Sequence, residues 1–242
     1  MLHSLIQLSV QVAIVALVFG AFSMLAIGAH EAGHALAGLL FGFDIHFVRV
    51  GPISLNLQNV RAWSLDGESW TYGFVRAQFR HLPGRWAVCQ CLAFFAAGSI
   101  ANITLALILA PFTGGPTIWS AVCGCWIVAS IIIGVVSVIP AKTKLGTSDG
   151  AKILALVCSR ERRERLLFVL SMKARIVEIR TLVRDDQAQL AIDRIDDLVS
   201  RFLKLPDVKP EAVQHLIKLQ SDLEKSLAVA ASPLAETQTS GP

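Results

Sequence analysis

Three long apolar runs alternate with shorter polar segments along the chain. Residues 9–29 read SVQVAIVALVFGAFSMLAIGA with no charge, and the apolar character continues to about 42, broken only by His30, Glu31 and His34. A second run covers 86–111, with Gln90 and Asn102 inside it, and a third covers 118–140. Each reaches the roughly 20 residues that a helix needs to cross a bilayer. Only a short Thr-Gly-Gly-Pro-Thr stretch, Thr113 to Thr117, separates the second from the third. These two are therefore predicted to form a tight antiparallel hairpin. A cleaved signal peptide would show an apolar region of about 7–15 residues after basic residues. Met1–Ser9 has no Lys or Arg, and the first run is too long. After Ser148-Asp-Gly150, a shorter apolar stretch over 151–158 is predicted as a half-helix from 149, either the far half of a broken helix or a re-entrant piece.

Segment 44–85 has a different period. Ile45 to Val50 and Ile53 to Leu57 alternate as strands do, and Trp70 to Val75 could add a third. This predicts a small interfacial β segment, for which Trp63, Trp70, Tyr72 and Trp86 suit an aromatic belt. Residues 159–229 return to helical spacing. Leu166, Leu167, Leu170, Ile176, Ile179 and Leu182 mark one helix, and Leu190, Ile192, Ile195, Leu198, Val199 and Phe202 a second. Pro210 is placed to open a third that runs through Val213, Leu216, Ile217 and Leu223. The tail 230–242 is predicted to be disordered.

Composition sharpens this picture. The chain is 54% hydrophobic and 17% charged, against about 45–50% and a quarter in soluble domains. A disordered chain, a collagen-like chain and a disulfide scaffold are excluded, and an ordinary soluble enzyme is disfavoured. Charge is unevenly spread: residues 1–157 hold eight Lys/Arg and five Asp/Glu, and 158–242 hold fourteen and thirteen. The near balance in the second part reads as solvated helix faces rather than a nucleic-acid surface. The run Arg160-Glu-Arg-Arg-Glu-Arg165 suits anionic lipid better than nucleic acid, because its Glu residues dilute it. Five Arg lie in 44–85, none lies in 112–117, and seven Lys/Arg follow Pro140 by residue 165. That asymmetry predicts an outside N-terminus, with 44–85 and the C-terminus in the cytoplasm. The cysteines do not read as a secreted framework. In Cys89/Cys91 and Cys123/Cys125 the two thiols sit about 200° apart around a helix, which suits small apolar filling better than a metal or redox pair.

The chemistry concentrates in His30-Glu-Ala-Gly-His34, an H-E-x-x-H pattern. On a helix, residues i and i+4 share a face, so both imidazoles can bind one Zn2+, with Glu31 beside it as general base. Ionisable groups inside an apolar span cost several kcal/mol and default to a functional reading; the bland alternative is a polar packing contact. A third ligand is needed. The extended H-E-x-x-H-x-x-G-x-x-H pattern fails at Ala37 and Leu40. Asp149 is the best candidate, with Gly150 permitting a tight turn beside it. An S-D-G is equally a helix N-cap, and the two roles are compatible. His46 and His81 are further ligand candidates but read better as surface histidines, and Asp44, Asp66 and Glu68 as solvated.

On these residues the chain resembles the site-2 proteases, intramembrane zinc metalloproteases whose helices carry H-E-x-x-H, a G-P-x-x-N-like segment and a late L-D-G. Ala26 to Ala37 matches the first. Ala97-Gly-Ser-Ile-Ala-Asn102 matches the second, with Ser99 where Pro is usual. Pro140 followed by Ser148-Asp-Gly150 matches the third, with Ser148 replacing Leu. The resemblance covers roughly residues 10–157 and leaves the C-terminal third uncovered. It implies that His30, His34 and Asp149 bind zinc, that Glu31 is the general base, and that Asn102 helps hold the substrate carbonyl or its oxyanion. For Asn102, an interhelical hydrogen bond is an equal alternative. It also implies that the β segment clamps substrate as an added strand, which would unwind a membrane helix and expose its carbonyls.

The expected fold is thus an all-α polytopic membrane protein. A three-span site-2-protease-like core over 1–158 (spans about 9–42, 86–111 and 118–140) carries the β segment 44–85. A C-terminal helical cytoplasmic domain over 159–229 follows. The expected activity is zinc endopeptidase cleavage in or near a transmembrane segment of a partner protein, in a lipid bilayer and without nucleic acid. Whether the chain forms a homo-oligomer is left open. Two rivals stand: a non-catalytic membrane binding protein of the same fold, which Ser99 and Ser148 allow and Glu31 opposes, and a metal transporter, for which no internal repeat is visible.

Overall fold

The structure is a computed structural model, and it describes residues 2–57, 63–65, 73–143, 146–185 and 187–204, with residues 217, 218, 221 and 225 in addition. The helix expected from Pro210 and the tail 230–242 otherwise lie outside the described residues.

The first apolar run forms α1, Leu2–Leu40. It has no proline and one charged residue, so nothing interrupts its hydrogen-bond ladder, and it begins before residue 9 because His3, Ser4 and Gln7 do not break a helix. Its 39 residues extend about 58 Å at the usual helical rise. Gly42, with φ +80°, ends it in the left-handed region that glycine adopts freely and turns the chain into the sheet. Strands β1 (Phe43–Val50) and β2 (Ile53–Asn56) form an antiparallel hairpin around Gly51 and Pro52. Strand β3 (Trp63–Leu65), which the alternation did not reveal, pairs with β2. Strand β4 (Gly73–Phe79) pairs with the other side of β1, giving the order β3-β2-β1-β4. Of the expected strand at 70–75, residues 73–75 lie in β4, which continues to Phe79, and residues 70–72 lie outside the described residues.

Helices α2 (Ala87–Leu109) and α3 (Ile118–Val138) make the expected hairpin. A 3₁₀ turn over Ala110–Thr113 closes α2, and Thr117 caps α3 by accepting from the Ser120 N–H at 3.1 Å. By length and composition, α1, α2 with its 3₁₀ turn, and α3 are each long and apolar enough to cross a membrane. Small residues let them approach closely. A Cβ on Gly33 of α1 would lie 2.6 Å from the Ala97 carbonyl of α2. Between α2 and α3, Ser99 and Ser137 share a hydrogen bond of 2.7 Å at the position where the resemblance leads one to expect proline.

After Pro140, a short hairpin of β5 (Lys142–Thr143) and β6 (Gly146–Thr147) returns the chain to α4, Asp149–Cys158. One face of the sheet meets α2 and α4 in a core of Phe43, Ile45, Phe79, Cys91, Phe94, Phe95 and Leu156, with the Phe43 ring stacked on Phe79 and Phe94 at 4.5 and 5.0 Å. Helix α5 (Arg160–Arg184) and helix α6 (Ala188–Leu203) match the two helical periods expected after 159.

The chain divides into two compact units, residues 1–171 and 172–242, with the boundary inside α5. The reason is that Leu166, Leu167 and Leu170 pack against the core around Phe94 and Leu156. In the second unit, Ala174, Ile179, Ala191, Ile195 and Leu198 are buried, and Arg175–Asp197 and Arg194–Glu178 form ion pairs.

Candidate metal centre

His30 and His34 lie one turn apart on α1, both about 5% exposed or less, so their rings share one buried face. Asp149 reaches them because the start of α4 is fastened to the end of α3. The Ser148 hydroxyl donates to the Ile139 carbonyl at 2.8 Å and accepts from the Ala141 and Ala151 N–H groups at 2.9 and 3.2 Å. Gly150 is helical and does not make the tight turn expected of it. It allows contact instead: a Cβ there would sit 1.7 Å from the Val138 carbonyl oxygen.

Three ligand atoms converge. His30 Nε2 and His34 Nε2 are 3.1 Å apart, and Asp149 Oδ2 lies 3.2 and 3.0 Å from them. A tetrahedral ion bound at about 2.0–2.1 Å would separate its ligand atoms by roughly 3.3 Å, so the triad has the right dimensions for one cation. The hydrogen bonding tests the fit. His34 Nδ1 is 2.7 Å from the Phe94 carbonyl, which can only accept, so Nδ1 carries the hydrogen. In the neutral ring, Nε2 then points a lone pair at a carboxylate oxygen and at a second imidazole. One added proton could be shared by two of the three atoms; a bound cation satisfies all three. Among the described residues, His30, His34 and Asp149 are the group able to hold a metal. His46 and His81 do not join them.

The other Asp149 oxygen takes a 3.1 Å contact from Lys152 Nζ, which also lies over the Phe95 ring.

Glu31 borders the same cavity, a space of about 390 Å³. His30, His34 and Asp149, with Ile27 and Phe94, close one side of it. Gly73, Phe74 and Val75 of β4 form another wall, and Ile132, Ile133, Val136 and Ser137 of α3 face them. Glu31 Oε2 is buried with no hydrogen-bond partner. Asn102 is fully buried and does not line the cavity; its carboxamide lies 3.4 Å from His30 Nδ1.

Three further residues shape the site and were not assigned roles from sequence. Gly98, the glycine of the Gly-Ser-Ile-Ala-Asn segment, brings the α2 backbone against the ligands: a Cβ there would lie 2.5 and 2.6 Å from His34 and His30 Nε2. Phe94 orients His34 through its carbonyl, and a main-chain acceptor has no sequence signal. Lys152 was visible only as a charge beside Asp149.

No family model matches the chain, and neither does any curated protein or any solved structure.

Proposed function

We propose that the chain is an intramembrane zinc endopeptidase of the site-2-protease kind, cleaving a peptide bond in or near a transmembrane segment of a partner protein. The observation that carries the reading is the convergence of His30 Nε2, His34 Nε2 and Asp149 Oδ2 on one point, with Glu31 on the same cavity. Two imidazoles and one carboxylate, with a fourth direction open to a cavity, are a donor set suited to catalytic zinc. Zinc held there supplies Lewis acidity, polarising the scissile carbonyl and acidifying water.

The chain's own residues do the rest. Glu31, which lines the cavity beside the triad, accepts a proton from the attacking water and then delivers it to the leaving amide nitrogen. Among the described residues, strand β4 pairs on one side only, with β1, and its first three residues wall the cavity beside Glu31. An extended substrate segment added along β4 would have its backbone carbonyls freed from helical hydrogen bonds next to the general base. Ile132 and Val136 on the opposite wall are about half exposed, as suits an entrance facing lipid tails. The arginine asymmetry of the connections supports an outside N-terminus and a cytoplasmic C-terminus.

The test is hydrolysis of a quenched fluorescent peptide of apolar transmembrane sequence by detergent-purified protein. Glu31→Gln should lose at least 100-fold in rate while keeping its zinc, as expected for loss of a general base. Undiminished hydrolysis in that variant would overturn the mechanism.

A further inference from the structure

Asn102 is a buried polar side chain beside the triad that the proposed chemistry leaves unused. It is fully buried on α2, one turn beyond Gly98, and its Oδ1 has no hydrogen-bond partner. A buried amide oxygen without a donor is costly and rare in native folds. Its Nδ2 lies 3.4 Å from His30 Nδ1. His30 Nε2 belongs to the ligand triad and must keep its lone pair for a metal, so the hydrogen of the neutral ring sits on Nδ1. As placed, two donors face each other while the acceptor of the same carboxamide stands idle. Oxygen and nitrogen of an amide are nearly indistinguishable in shape, and a half-turn about the last torsion exchanges them. The exchange turns the conflict into a hydrogen bond.

We propose that Asn102 is a positioning residue for His30, its carboxamide oxygen accepting a hydrogen bond from His30 Nδ1–H and so aiming Nε2 at the metal. The inference rests on the metal-centre reading above, and it replaces the oxyanion role that the resemblance implied for this residue. His34 shows the matching arrangement, with Nδ1 donating to the Phe94 carbonyl at 2.7 Å. Each imidazole is then fixed from behind, one by main chain and one by side chain, as metal-bound histidines generally are. The helix opposite leaves room for this amide: a Cβ on Gly134 of α3 would lie 3.4 Å from Asn102 Cβ. A substrate carbonyl in the cavity has no path to Asn102, because Asn102 is not part of the cavity wall.

The test is zinc affinity of the full chain in detergent, measured by competition with a chelator, together with the visible absorption of the Co2+-substituted protein. Asn102→Leu keeps the volume and removes the acceptor; Asn102→Ala does so without adding bulk, should the leucine variant fold poorly. Either should bind zinc 10–100-fold more weakly and alter the Co2+ bands. Asn102→Asp keeps an acceptor oxygen and should hold the wild-type affinity and spectrum. Unchanged affinity in Asn102→Leu or Asn102→Ala would overturn the proposal, as would loss of affinity in Asn102→Asp equal to theirs. Wild-type affinity in all variants with peptide hydrolysis lost would instead place Asn102 on the substrate, since an aspartate cannot donate to an oxyanion. A wild-type protein that binds no zinc would overturn the metal centre itself.

Discussion

Gly73 and Glu31 meet at the cavity: a Cβ added to Gly73 would lie 2.6 Å from Glu31 Oε1 and 2.9 Å from its Cγ. The first residue of β4 therefore sets where the glutamate can stand. Gly73→Ala should push the carboxylate aside while leaving the triad intact. A displacement of about 1 Å in a catalytic group costs on the order of 100-fold in rate. Peptide hydrolysis should fall by about that much with zinc content unchanged. Equal rates in variant and wild type would separate Gly73 from the chemistry.

Gly98 should behave in the opposite way. Its missing side chain makes space for both ligand nitrogens, so Gly98→Ala should abolish zinc binding while circular dichroism retains the helical signal. Gly124, on α2's partner helix α3, has open space around it. Gly124→Ala is the matched control and should bind zinc normally. Zinc bound equally by the two variants would contradict the packing described at Gly98.

Ser148 fastens the Asp149 loop through three hydrogen bonds and caps α4. Losing a serine cap costs about 1 kcal/mol, with a range of roughly 0.5–2. Ser148→Ala should lower stability in detergent by about that amount and weaken zinc binding, and Ser148→Thr should restore much of both. A zinc affinity unmoved by Ser148→Ala would show that Asp149 is held by other contacts, such as the one from Lys152.

The orientation can be read from reporters fused within the chain. The arginine-free turn between α2 and α3 should place a reporter inserted after Gly115 outside. One fused after Ala231 should report from the cytoplasm. The reverse pattern would put the metal centre's polar approach on the other side of the bilayer.

The long helices were legible because their apolar runs contain nothing that ends a helix until Gly42, Pro111 and Pro140. His30 and His34 were legible because a helix carries four-residue spacing directly into space. Asp149 was legible as the acidic residue of Ser148-Asp-Gly150 between an apolar span and an apolar half-helix, although 115 positions separate it from His34. What stayed hidden depends on how elements cross rather than on local pattern. Gly33, Gly73, Gly98 and Gly150 look alike in sequence, and only packing shows that each admits a neighbouring backbone or a side chain of the site. Strand β3 is three residues long, too short for alternation to register. Nor does local pattern show that Leu166, Leu167 and Leu170, which continue the helical period of α5, pack against the core around Phe94 and Leu156.

The most direct measurement is the zinc content of detergent-purified protein beside His34→Ala and Asp149→Ala variants that retain their helical signal. About one zinc per chain in the wild type, lost in both variants, is the expected result. No zinc in well-folded wild-type protein, or zinc retained without Asp149, would contradict the three-ligand centre.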